Sequence, residues 1–343
     1  MDTKYFSYKG NKVMLYLDSI RKGFIKFPPS LQISLTDYCG EKCYMCDHWK
    51  RANRVHFEHD KLIDFLDKAH SNGLETVCYS GGDPLMYKRV NEVMDWHLIN
   101  DVEFGFITTG SVPIKKLNLD FLKHASFVRI SLDAIDPKKY KLIRGVNASL
   151  YAQEVTKEML SHGIKIGLGI TLSKYNVDEI PALVDFTLKN GIKEFRVWPV
   201  RHSSDEINGI DITDQLFMDI KFAIDIFNKD GIDHNLDETI NILTFGEDTN
   251  LFKTCKASLY QLFVDPSGNI FPCCIIAGDT EAEFMGEPLF TIDNYLENDY
   301  HCHNELRNWS EQHVGSFCIK NCTKRLSTIN QVAEENWDKK LFF

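Results

Sequence analysis

Apolar and polar positions fall into two alternating rhythms along this chain. Short runs that are continuously apolar or alternate with a period of two, at 31–35, 76–80, 103–107, 127–132, 165–171 and 194–200, predict β-strands. Between them, residues 60–71, 86–99, 119–124, 150–162 and 180–190 carry the wider spacing of amphipathic helices. Several of these helices run into a glycine, at Asn72-Gly73, His162-Gly163 and Asn190-Gly191, the usual C-terminal stop. Six strands alternating with helices imply an α/β fold with a parallel sheet and right-handed crossovers. Six repeats fall short of a closed eight-unit barrel. The expected architecture is a partial (β/α)6, TIM-like barrel, open along one side.

The same pattern divides the chain. Residues 1–28 read as a lead-in, with a hairpin around Lys9-Gly10-Asn11 and a helix over 17–22 that Pro28-Pro29 ends. Residues 29–212 hold the barrel. Residues 213–343 form an extension in which a helix over 214–228 gives way to loop-rich sequence. Within it, 260–264, the turn Asp265-Pro266-Ser267-Gly268-Asn269 and 270–272 predict a β-hairpin.

Composition narrows the function. The chain has 343 residues, 43% hydrophobic and 26% charged, as in ordinary globular proteins. It holds no apolar run of about 18 residues, and Met1-Asp2-Thr3-Lys4-Tyr5 has no signal-peptide pattern. A cytoplasmic protein without a membrane partner is expected. A net charge of −10 without a Lys/Arg block disfavours nucleic acid. Ten cysteines in such a chain point to metal or redox chemistry rather than disulfides.

Their clustering says more. Cys39, Cys43 and Cys46 lie within eight residues, directly after the first strand. Three thiolates fall one short of a structural zinc site. On an iron–sulfur cluster they would leave one iron open to a small molecule. The mouth of an α/β barrel is where such a site belongs. The spacing C-x3-C-x2-C resembles the signature of the radical S-adenosylmethionine (SAM) enzymes. The resemblance implies a partial (β/α)6 barrel and a [4Fe–4S] cluster on Cys39, Cys43 and Cys46. It also implies SAM bound at the open iron and cleaved reductively to a 5′-deoxyadenosyl radical. Met45 stands where much of that family has an aromatic residue, with Tyr44 beside it.

Further motifs extend the likeness. Tyr79-Ser80-Gly81-Gly82-Asp83-Pro84 follows the second strand and resembles the family's GGE-type SAM motif, with aspartate in place of glutamate. By the same resemblance Met45, Gly81, Gly82, Asp83, Thr109, Ser131, Asp133, Arg144 and Trp198 are candidate SAM contacts, with Arg144 at the SAM carboxylate. Read without the family, these positions are a turn, helix caps, a packed tryptophan and a solvated charge. A second cysteine set, Cys255, Cys273, Cys318 and Cys322, has the form C-x12-G-x4-C followed by a close pair. It resembles the twitch extension, the shorter relative of the SPASM extension, and implies a second, auxiliary [4Fe–4S] cluster. Four thiolates also suit zinc, and Cys274 is an alternative to Cys273. The implied partners are a small-molecule substrate and an electron donor such as flavodoxin or ferredoxin.

The expected reaction is hydrogen abstraction from a small polar molecule of sugar or aminocyclitol type, ending in oxidation or epimerisation. Cys302 and Cys274 are candidate hydrogen donors, and Cys78 a buried filler. Arg201 and His202, after the sixth strand, are candidates for substrate contact or proton transfer. His48 and Trp49 occupy a similar place after the triplet. The alternatives are a maturase of ribosomally made peptides and a non-catalytic zinc-binding module.

Overall fold

A computed structural model describes residues 27–46, 48–200, 209–245, 257–274, 277 and 288–297. The barrel strands are β1 (Ser30–Ser34), β2 (Thr76–Ser80), β3 (Glu103–Thr108), β4 (Phe127–Ser131), β5 (Ile166–Leu172) and β6 (Glu194–Pro199). Connecting them are the helices α1 (His59–Ser71), α2 (Val90–Asn100), α3 (Leu119–Leu122), α4 (Pro137–Arg144), α5 (Ser149–Ser161) and α6 (Ile180–Lys189). All six strands pair in parallel, each with the next in sequence. The sheet does not close on itself, as six units require.

Three local differences have local causes. The helix expected from residue 86 begins at Val90, because Pro84–Met86 winds into its own 3₁₀ turn, capped by Asp83. α4 is a full helix: Asp136 accepts from the Lys138 and Lys139 amides at 2.9 Å, and Pro137 occupies its first turn. Beyond α7 (Asp214–Asp230), a short strand β7 (Asp233–His234) and a helix α8 (Leu236–Phe245) stand where the sequence reads as loop. Only Leu236, Thr239 and Leu243 of α8 are fully buried, too few for a conspicuous apolar stripe.

The predicted hairpin is present as β8 (Gln261–Val264) and β9 (Asn269–Phe271). Asp265 shapes its turn, accepting from the Ser267 and Asn269 amides at 2.9 Å. β8 runs parallel to β1, pairing Gln261 with Ser30, and β10 (Phe290–Thr291) extends the hairpin. The helix α9 (Ile292–Glu297) follows and packs Tyr295 against Phe27 and Phe65. One sheet, in the order β10-β9-β8-β1-β2-β3-β4-β5-β6-β7, therefore contains strands from both sides of residue 212.

The two faces of this sheet differ in chemistry. Facing the helices are Ile33, Val77, Phe106, Ile130, Leu168 and Val197, all fully buried; each contributes about 1.5–3 kcal/mol by leaving water. The alternate positions face inward and carry Gln32, Cys78, Arg129, Glu194 and Arg196. Closed barrels of this type fill their interior with branched apolar side chains; this one has a polar lumen. Among the described residues, no helix is long and apolar enough to cross a membrane.

Candidate active site

The triplet loop leaves β1 at the C-terminal mouth of the barrel. Cys43 is buried, and Cys39 and Cys46 are half-buried. The Cys46 amide donates to the Cys43 carbonyl at 3.2 Å, and the Trp49 indole donates to the same oxygen at 2.9 Å. Burial pushes the Cys39 and Cys43 thiols up to about 12, and the carboxylates around them add to it. Loading a metal here must displace their protons. The loop then returns along Asp37, whose carboxylate takes Arg51 at 2.7 Å and His48 at 3.5 Å.

Neighbouring loops lock onto this one through glycines. The Gly82 amide donates to the Thr36 carbonyl and the Asp83 amide to the Tyr38 carbonyl, both at 2.8 Å. A Cβ on Gly81 would fall on the Ser34 hydroxyl, and one on Gly82 on the Tyr38 carbonyl oxygen. The close approach expected of this glycine pair is thus made to the chain's own triplet loop. On the other flank the Lys42 and Tyr44 amides donate to the Arg144 and Ile143 carbonyls at the end of α4. Gly145 closes that helix at φ 72°, and a Cβ there would strike the Lys42 carbonyl oxygen.

A buried ionic cluster joins these loops. Arg144, 6% exposed, donates from Nε to Asp133 at 2.6 Å and from Nη1 to Glu41 at 3.1 Å. Its Nη1 also lies 3.8 Å from the Cys43 sulfur. Glu41 further accepts from Ser111 at 2.9 Å and from the Tyr140 hydroxyl. The other oxygen of Asp133 accepts from the Thr171 amide at 2.6 Å. Glu41 is absent from the sequence-based candidates. Apart from the Cys43 thiol, its partners lie 70 to 103 residues away, and one acidic residue in a cysteine loop reads as solvated.

Several of the expected site residues have partners within the chain. Asp83 is fully buried, and its carboxylate accepts from Leu85, from both Thr108 and Thr109 hydroxyls, and from the Thr109 amide. Burial raises its pKa against the pull of those donors. The side chains of Asp83, Thr109 and Asp133 are thus hydrogen-bonded within the loop framework. Arg144 is not a solvated charge; two carboxylates hold its Nε and Nη1. Ser131 and Trp198 do face the lumen, half-buried. Met45 is half-buried beside Tyr44, which meets Tyr175 edge-on at 5.5 Å. Cys274, just past β9, lies within electrostatic reach of Cys78 on the lumen side of β2. Cys273 packs against the core. Arg201, His202, Cys255, Cys302, Cys318 and Cys322 lie outside the described residues.

Residues 33–187, the span from β1 to α6 that builds this mouth, match the family profile of the Radical SAM superfamily. Over that span the chain is similar to the radical SAM enzymes. A probable GTP 3′,8-cyclase from Methanococcus maripaludis is 28% identical over 175 residues, 47% of this chain and 56% of that protein. A GTP 3′,8-cyclase from Campylobacter jejuni is 27% identical over 216 residues, 58% of this chain and 66% of the relative. The chain thus spans between about half and two-thirds of the length of these curated relatives. Among solved structures, Streptococcus suis SuiB bound to S-adenosylmethionine superposes with a TM-score of 0.63 at 20% identity, covering 92% of this chain and 75% of SuiB. A native anSMEcpe with bound AdoMet and Cp18Cys peptide gives 0.58 at 13% identity, covering 88% of each chain. At these identities the likeness is one of fold.

Radical SAM enzymes work with SAM and a [4Fe–4S] cluster, and the donor set here fits that pair. Three thiols held in one loop would supply three corners of a cluster and fall one short of a closed tetrahedral zinc site.

Proposed function

We propose that Cys39, Cys43 and Cys46 hold a [4Fe–4S] cluster at the barrel mouth and that the chain acts on a polar substrate seated in the lumen below. The observation that carries this reading is the pairing of a three-cysteine loop with a polar barrel interior directly beneath it. A cluster on these three thiolates, with SAM bound, would supply the chemistry of hydrogen-atom abstraction from an unactivated C–H bond. The chain's own residues position and exclude. Glu41, Arg144 and Asp133 fix the triplet loop against α4 and β5. Gly81, Gly82 and Asp83 fix it against β2 and β3. Ser131 and Trp198 border the space where SAM and substrate would meet, and a substrate bound there would be held away from water.

For a small sugar- or cyclitol-like substrate the outcome is dehydrogenation or epimerisation. Dehydrogenation needs an electron acceptor, the role proposed for an auxiliary cluster on Cys255, Cys273, Cys318 and Cys322. Epimerisation needs a hydrogen donor, for which Cys274 is the described candidate because it lies near the lumen thiol Cys78. A flavodoxin or ferredoxin would deliver the starting electron. The relatives named above are cyclases and peptide-bound proteins, which favours a second reading. SuiB bound to its precursor peptide SuiA covers 92% of this chain at a TM-score of 0.61, so peptide modification is the alternative. Mass spectrometry of anaerobic reactions with both substrate types separates them. A product two hydrogens lighter marks dehydrogenation and an isobaric one epimerisation, while change only in a peptide sinks the small-molecule reading. Iron analysis settles the second cluster: about eight irons per chain supports it, and about four refutes it.

A further inference from the structure

The lumen contains a side chain that the cluster site does not use. Arg129 on β4 projects inward, with its guanidinium 5.0 Å from the Phe127 ring and 5.5 Å from the Trp198 ring. Its Nη2 meets Glu194 across the sheet. The strand register explains how: Arg129 and Glu194 both flank Gly167, where a Cβ would come within 2.5 Å of the Glu194 carboxylate. Gly169 likewise leaves room for the arginine stem, 3.0 Å from where a Cβ would stand. Two missing side chains hollow the barrel at this level and let the guanidinium lie in it.

The Nε–H of Arg129 is buried and has no hydrogen-bond partner among the described residues. An unmet buried donor of a charged group is costly, about 1–3 kcal/mol or more. On the β1–β8 side of the sheet, Ser30 Oγ and Gln261 Oε1, adjacent in register, are buried and unpartnered in the same sense. Among the described residues, the ion pairs around Arg129 are matched in charge. Glu194 takes both Arg129 and Arg196, and Arg196 also takes Asp233. Within this described group two cations meet two anions, which leaves it no surplus charge to attract an ion.

We propose that Arg129 is the specificity-determining donor of the lumen, giving its Nε–H to an uncharged oxygen acceptor of the substrate, a hydroxyl or amide oxygen, held between the Trp198 and Phe127 rings. This deepens the function proposed above and rests on it for taking the lumen ligand as the substrate. A carboxylate or phosphate would add an uncompensated charge beside Glu194, so anions are excluded.

The test uses reconstituted holoprotein with SAM bound and four probes: acetamide, myo-inositol, acetate and inorganic phosphate. Saturation-transfer NMR and tryptophan fluorescence report binding at tens of millimolar, the range for single-contact fragments. The neutral probes are expected to bind and the anions to bind more weakly. Arg129→Lys keeps a cation for Glu194 but removes the Nε–H. It should melt like the wild type and bind the neutral probes about tenfold more weakly. Tighter binding of anions, no binding of either neutral probe, or an unchanged affinity in a folded Arg129→Lys each overturns the proposal. Formation of 5′-deoxyadenosine by the wild type is measured in parallel. Its absence defeats the function reading, whereas its presence without neutral-probe binding defeats only the lumen assignment.

Discussion

Replacing Arg144 with methionine tests whether the buried ionic cluster holds the triplet loop in place. The change removes the only cation facing Glu41 and Asp133 among the described residues, and both carboxylates are at most 1% exposed. Breaking a buried pair by deleting one partner costs roughly 3–5 kcal/mol. Here Glu41 would keep its bonds from Tyr140 and Ser111, and Asp133 its bond from the Thr171 amide. The lower end, about 3 kcal/mol, is therefore expected. With about 2.1 cal/mol/K of unfolding entropy per residue, the 343-residue chain should melt roughly 4 °C lower. Thermal and urea unfolding followed by circular dichroism measure this. Pairing the change with Glu41→Gln removes an orphaned charge together with its cation, so the double variant should be less destabilised than the sum of the two single changes. A loss below about 1 kcal/mol for Arg144→Met, or strict additivity in the double variant, would refute the reasoning.

Other predictions follow from the same geometry. Gly82→Ala sets a Cβ against the Tyr38 carbonyl oxygen, backbone against backbone, whereas a Cβ on Gly163 meets nothing within 4 Å. Unfolding midpoints should fall further for Gly82→Ala than for Gly163→Ala, whose cost is left-handed strain of about 1 kcal/mol; equal losses would contradict the interlocked loops. Burial pushes His97 down to about 3, and its Nδ1 donates to the Val102 carbonyl while Nε2 accepts from Tyr79. Below the ordinary value of 6.5 the unfolded chain takes a proton that the native one refuses, so this term is full above 6.5 and fades as pH falls toward 3. Between about pH 7 and about pH 5 the wild type should lose up to ~1.4 kcal/mol per unit from this group. Relative to its own value at neutral pH, His97→Gln should lose less, and an equal slope would show that His97 is not the source.

The barrel was legible because its signals are local. Six strands announce themselves by apolar runs of five to seven residues, and the structure places each within two residues of its expected ends. The cysteine triplet was legible for the same reason, since eight consecutive residues carry it. The partners that Asp83, Asp133 and Arg144 have within the chain were not, because which group a charge meets depends on what lies opposite. Asp133 meets Arg144 from the next helix, and Glu41 meets it from 103 residues away. The parallel pairing of β8 with β1 joins residues more than 200 apart and has no sequence signature. The polar lumen did leave one: Gln32 and Ser34, Phe127, Arg129 and Ser131, and Glu194, Arg196 and Trp198 each recur at every second residue. Those alternations mark inward faces once the outward neighbours are seen to be apolar.

The central claim is that Cys39, Cys43 and Cys46 carry the radical-generating centre. Anaerobically reconstituted protein, reduced with dithionite and given SAM, should form 5′-deoxyadenosine, and Cys43→Ala should form none while losing about four irons per chain. Undiminished 5′-deoxyadenosine from Cys43→Ala would contradict it.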